Sequence, residues 1–169
     1  MVMNFIRNNK IVSWLLTLLR IYIGYKWITA GFSKISSGSF NAGGFIEMAS
    51  ESSVVPEWWA AFLKTVAVPN QELFSFMVMW GEFLVGLALI VGIFTNFAAL
   101  MGVTMNLSFL FSGSGMLDAQ MAVLTVFIVI AGRNAGRIGL DRWVLPFLNY
   151  FIKTKIMHKK QVKDSVVLV

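Results

Sequence analysis

The sequence contains no cysteine. That absence excludes a disulfide framework, a thiolate nucleophile, thiolate-ligated iron–sulfur clusters and dithiol redox chemistry carried by this chain alone. Histidine occurs once, as His158 in a lysine-rich stretch. A haem held between two histidines of one chain is thereby excluded, and so is a histidine-rich metal centre, so no metal ligand is assigned. Charge is also scarce. Asp, Glu, Lys and Arg make up 13% of the residues, against about 25% in a soluble domain. Hydrophobic residues make up 57% of the 169. The composition is that of a membrane protein, and the length suits one membrane domain, residues 1–169.

The apolar residues fall into four runs, from which four spans are predicted at about 11–34, 72–94, 97–112 and 116–136. A crossing helix needs about 20 residues, so the two shorter runs borrow polar flanks. The first run follows the basic start "RNNK", as a signal peptide would. It is long, contains Arg20 and Lys26, and lacks a small-x-small cleavage site, so it is expected to be a retained span.

The net charge of +6 is bunched at the ends and has no aromatic or glycine-rich context that would suit nucleic acid. Arg7 and Lys10 precede the first span, and eight basic residues, from Arg133 on, follow the fourth apolar run, which ends at Ala131. The first loop, about 33–71, holds Glu47, Glu51 and Glu57 against Lys34 and Lys64, and Glu72 follows directly. By the positive-inside rule both termini are expected in the cytoplasm of a multi-pass cytoplasmic-membrane protein. Residues 150–169 are then a basic cytoplasmic tail against anionic headgroups. In the outer loop, Pro56 and Glu57 open a helix over about 56–66. Trp58, Trp59, Phe62, Leu63 and Val66 share one face of it, which predicts an interfacial anchor or a lid. The expected fold is all-α: a four-helix transmembrane bundle with a short interfacial helix in the first extracytoplasmic loop.

Two charges interrupt the apolar runs. Arg20 lies ten residues after Lys10, and Glu82 ten after Glu72. At 1.5 Å per residue each is about 15 Å from its flanking charge, which predicts a pair at the midplane of a hydrocarbon core about 30 Å thick. On the first helix Ser13, Thr17, Gly24, Trp27, Gly31 and Lys34 share the face of Arg20. On the second, Ser75, Met79 and Gly86 share the face of Glu82. Asn106 falls mid-way along the third. On the fourth, Asp118, Ala122, Thr125, Gly132 and Gly136 align, with Asp118 at the outer mouth. Lys26 is directed instead to the outer headgroups. Two readings stand. In one, the small and polar faces are helix-packing glue. In the other, they line a pocket in which Glu82 moves protons, Arg20 holds an anion or carbonyl oxygen, and Trp27, Lys34, Asn106 and Asp118 bind a ligand.

Three stretches, "RIYIGYKWITAGFSKI", "GEFLVGLALIVGIFTNFAAL" and "AGRNAGRIGLDRW", resemble the DoxX/DoxD-like integral membrane proteins, over about residues 20–146. The resemblance implies a four-helix protein of the cytoplasmic membrane. It also implies family-type positions at Arg20, Lys34, Gly81, Glu82 and Gly139–Asp141. Some members are the membrane subunit of a thiosulfate:quinone oxidoreductase, and others associate with redox-defence proteins. The functional expectation is therefore a quinone-linked redox-associated subunit, with quinone as the candidate cofactor and thiosulfate:quinone oxidoreductase as the enzyme class if it is one. Without cysteine or a haem-ligand pair, electrons pass directly between bound substrates or a partner carries the redox centre. The alternatives are a non-catalytic scaffold for partner proteins and a small-solute or proton transporter. The lipid bilayer, a protein partner on the cytoplasmic or outer side, and a second copy of the chain are the candidate partners. Locally, Asp141 is expected to pair with Arg137 or to cap the following turn.

Overall fold

A computed structural model describes residues 2–151, 153 and 154. The basic tail expected at 150–169 and His158 lie almost wholly outside the described residues. The described chain is helical, with no strand among the described residues. Helix α1 (Val2–Asn8) leads into α2 (Lys10–Ser37). The loop after α2, expected from the sequence to be the outer one, folds as α3 (Gly43–Glu51) and α4 (Glu57–Phe62). Then come α5 (Gln71–Val91), α6 (Thr95–Phe111) and α7 (Met116–Ala131). A further helical stretch occupies 141–151. Helices α2, α5, α6 and α7 pack side by side in a ring, each against the next and α7 against α2.

The surface is apolar where a soluble protein's would be charged. Leu15, Leu18, Tyr25 and Phe32 of α2, Leu73, Phe76 and Leu84 of α5, and Val123 and Phe127 of α7 all face outward. Exposed apolar area of that extent belongs in lipid. α2 and the continuous helical stretch ending in α5 are long and apolar enough to cross a membrane, whereas α6 is a shorter apolar helix of 17 residues.

The start of α2 is set by Asn9, whose side-chain oxygen accepts from the backbone N–H of Ile11 and Val12 at 2.7 and 3.4 Å. This satisfies two donors at the helix start. Its end is set by Gly38 in the left-handed conformation. Helices α2 and α5 run antiparallel at backbone contact. A methyl group added to Gly86 would collide with the backbone of Ile28, and one on Gly24 would come within 2.9 Å of the Gly86 carbonyl. Small residues let the two helices approach this closely. The register follows: Gly24 lies beside Gly86, Gly31 beside Phe83, and Arg20 beside Gly92.

Two cores result. One lies inside the ring, built on Ile23, Trp27, Val85, Leu89, Ala99 and Ile128. The other lies beneath the outer loop, built on Ala42, Ile46, Ala49, Val55, Leu63 and Ala67. The outer loop thus holds two helices where the sequence predicts one. α3 carries two of the second core's residues, Ile46 and Ala49, and only a short, glycine-bearing pattern announces it. α4 continues through a widened turn at Leu63–Ala67 and a tightened one at Val68–Asn70, which contains Pro69, directly into α5. The tryptophans divide. Trp58 is mostly exposed, while the half-buried Trp59 donates its indole N–H to Ser112 Oγ at 2.8 Å, at the α6–α7 turn. At the other end, α7 stops at Ala131, short of 136, where Gly132 turns the chain with φ +59°.

Candidate functional site

The face predicted on α2 is the buried one: Ser13, Thr17, Arg20, Gly24, Trp27 and Gly31 all point inward. On α5 the buried residues include Ser75, Glu82 and Gly86. On α7, Ala122 and Thr125 are buried. The polar groups do not form one cluster, however. They divide between the two ends of the ring.

Arg20 and Glu82 do not pair. Glu82 accepts from Lys34 Nζ at 2.6 Å, the sole salt bridge among the described residues. Arg20 donates one guanidinium N–H to Ala135 O at 3.0 Å and another to Ile138 O at 2.7 Å. The reason is register. Equal depth for the two charges requires that Lys10 and Glu72 mark opposite membrane faces. The glycine contacts instead set Arg20 level with Gly92, at the end of α5, and Glu82 is ten residues back, about 15 Å along the helix. The first ten residues of the 28-residue α2 project past the end of α5. They pack against α1 and the chain following α7.

The Arg20 end is a clasp. Gly92 closes α5 with φ +74°, and its added Cβ would fall on the Arg20 guanidinium, so only glycine fits. Asp141 accepts from the N–H groups of Phe94 and Thr95 at 2.7 and 2.9 Å, while its own N–H donates to Gly92 O. Neither expectation for Asp141 holds, because it caps the N-terminus of α6. Asn134 donates to the carbonyls of Ile6 and Asn9, and Ser13 donates to Asn134 O. The "AGRNAGRIGLD" stretch is thus a folded plug that joins α1, α2, α5 and α6. All of Arg20's paired N–H groups serve it.

The Glu82 end is different. Glu82 is 4% exposed, whereas the side chain of Lys34 is 26% exposed, so the pair reaches from the interior to the surface. Asp118 stands in the first turn of α7, at this same end of the ring. Gly81 faces Met105 across the α5–α6 contact, which puts Asn106 at the height of Glu82. Asn106 is fully buried, and neither its amide nitrogen nor its oxygen has a partner. One turn inward, Gly102 leaves room for the Trp27 indole, whose N–H is also buried and unpartnered. Buried polar groups without partners are rare in folded proteins. Here two donors and an acceptor sit in one layer beside an ion pair.

Above this layer lies the outer loop. Lys34 Nζ is 5.4 Å from the centre of the Phe40 ring. Phe40, Asn41, Ser75 and Met79 line a cavity of about 200 Å³ that opens outward. Ser75 Oγ accepts from the N–H of Ala42, pinning the start of α3 to α5. The structure therefore brings together Lys34, Glu82, Asn106, Trp27 and Asp118 at one end and separates Arg20 from them. The roles of Ser75, Trp59, Ser112 and Asn134 leave no mark in the sequence, being single polar residues whose partners are distant in the chain.

The DoxX family model matches residues 15–115. The chain belongs to the DoxX family. That match spans α2 to the end of α6 and includes Lys34, Glu82, Trp27 and Asn106. The plug, 131–141, lies beyond it. No curated protein and no solved structure matches the chain.

Proposed function

We propose that this DoxX-family protein crosses the cytoplasmic membrane four times with both termini in the cytoplasm. We infer that it serves as a quinone-linked, redox-associated subunit whose ligand site is the outer polar layer. The observation that carries the reading is the Asn106 carboxamide. It is fully buried and unpartnered, one turn from the unpartnered Trp27 N–H and level with the Lys34–Glu82 pair. Leaving a buried donor or acceptor unmade costs about 1–3 kcal/mol, and a ligand that hydrogen-bonds both groups removes that cost.

The donor set suits a quinone. Asn106 and Trp27 offer N–H groups to carbonyl oxygens in an otherwise apolar interior. A quinone supplies two-electron, two-proton redox chemistry when bound. The chain's own part is to bind, orient and move protons. Glu82 holds a proton site in the interior, and Lys34 links it to the outer surface through its exposed flank. Arg20 takes no part, since it lies at the far end of the ring and its two terminal guanidinium nitrogens serve the plug. None of Trp27, Lys34, Glu82 and Asn106 lines the cavity of about 200 Å³, so a ligand reaches Asn106 only when the α3–α4 cover lifts at the Trp59–Ser112 contact. Transport across the ring is less well supported, because Ile23, Leu89, Ala99 and Ile128, all fully buried, fill the space between the polar layer and the plug.

The test is purification from native membrane with quinone extraction, followed by a thiosulfate-dependent quinone-reduction assay on the chain with and without co-purifying partners. Near-stoichiometric quinone in the parent protein and at least tenfold less in Glu82→Gln supports the site. Equal quinone in both sinks it. Quinone retention without turnover by the chain alone assigns the redox centre to a partner.

A further inference from the structure

The plug end of the molecule carries a second site. A groove of about 670 Å³ runs between the α1–α2 junction and the chain from 133 to 149. Five cations line it: Arg7, Lys10, Arg133, Arg137 and Arg142. The carboxylate in its wall, Asp141, is 6% exposed, and both its oxygens accept backbone N–H groups from the start of α6. No acidic side chain among the described residues pairs with any of the five.

Two of the cations are partly committed. Arg7 donates to Ile130 O and Arg137 to Asn8 O, which fixes the two walls relative to each other. The side chains of Lys10, Arg133 and Arg142 are exposed and form no salt bridge with the described residues. Like charges held together without an acceptor repel one another, and an anion relieves this. Guanidinium groups pair in a forked geometry with phosphate. The floor is rigid, since Asn134 ties α1 to the plug by two hydrogen bonds.

The groove is also amphipathic. Trp14, Leu145 and Pro146 form part of its lining. Trp14 is 62% exposed, and Ile11, Leu15 and Leu18 continue the same outward apolar face of α2. A soluble anion has no use for that face, whereas an anion carrying acyl chains does. Basic pockets at the ends of membrane helices take phospholipid headgroups in this way.

We propose that this groove binds the phosphate of an anionic phospholipid, with the acyl chains lying along the Ile11–Leu18 face of α2. The site is separate from the outer polar layer. It rests on the membrane reading but not on the quinone reading, so the two fail independently.

The experiment is non-denaturing mass spectrometry of the full-length chain in detergent with equimolar phosphatidylglycerol and phosphatidylcholine, repeated with inorganic phosphate as competitor. The expected result is a one-to-one phosphatidylglycerol adduct. It weakens at least tenfold in Lys10→Gln/Arg133→Gln/Arg142→Gln and is kept in Lys10→Arg/Arg133→Lys/Arg142→Lys. Should the glutamine triple fail to fold, the single reversal Arg142→Glu is read in the same way, with a several-fold loss expected. Competition by millimolar inorganic phosphate supports an anion site but overturns its lipid assignment. Equal binding of phosphatidylcholine, or an adduct undiminished in the neutral variant, overturns the proposal.

Discussion

Lys34 and Glu82 close a 2.6 Å ion pair between α2 and α5, and its two members differ in their access to water. Glu82 is walled in, while Lys34 keeps about a quarter of its side chain exposed. The pair is therefore asymmetric. Lys34→Met strands a buried carboxylate and is expected to cost roughly 3 kcal/mol of stability. Glu82→Gln leaves a lysine that can turn toward the outer surface, and is expected to cost about 1 kcal/mol. Detergent-titrated unfolding of both variants measures the difference. Equal losses contradict the burial asymmetry.

Arg20 and Glu82 are expected to act independently. Arg20→Met removes two charge-assisted hydrogen bonds to Ala135 O and Ile138 O, a loss of roughly 3 kcal/mol. Hydrogen exchange should rise in 132–141. Combined with Glu82→Gln, the effects should add to within about 0.5 kcal/mol, as they do for separated sites. Mutual rescue in the double variant would restore the midplane pair that the register rules out.

Asp141→Asn probes the cap of α6 from the opposite end of the chain. The two N–H groups it accepts belong to Phe94 and Thr95, and Phe94 is held at φ +47°, a strained value for a side chain of its size. The expected cost is about 1–2 kcal/mol, with loosened exchange at 93–97. Arg137→Gln should leave that exchange unchanged, because Arg137 donates to Asn8 O and forms no salt bridge with Asp141.

The α2–α5 contact makes a sharp prediction about two glycines on one helix. Gly86→Ala meets the backbone of Ile28, which cannot yield, and is expected to cost about 2–3 kcal/mol. Gly81→Ala meets only the flexible end of Met105 at 3.2 Å and should cost less than about 1 kcal/mol. Thermal unfolding in one detergent ranks them.

The faces of the helices were legible in the sequence; their heights were not. Helical periodicity alone places Ser13, Thr17, Arg20, Gly24, Trp27 and Gly31 on one side of α2, and all six are buried. Periodicity carries angle. Depth depends on where neighbouring helices slide to rest, and the backbone contacts of Gly24, Gly31 and Gly86 fix that. Counting from Lys10 and Glu72 therefore placed Arg20 beside Glu82, when Lys34 is the residue at that height. Asn106 was visible as a polar residue in an apolar run, but not its lack of a partner. The plug was hidden for another reason. Its bonds join residues far apart in the chain, from Asp141 with Phe94 to Arg20 with Ala135 and Asn134 with Ile6, and no local pattern encodes such pairs.

The claim that the outer polar layer is a ligand site is tested most directly by Asn106→Leu, read for stability and quinone content together. Leucine keeps asparagine's branched outline with somewhat bulkier methyl groups and removes the orphaned amide. The account predicts a protein as stable as the parent or more so, by about 1 kcal/mol, with quinone retention down at least tenfold. If instead Asn106→Leu unfolds more easily and keeps its quinone, the amide is a packing element and the site lies elsewhere.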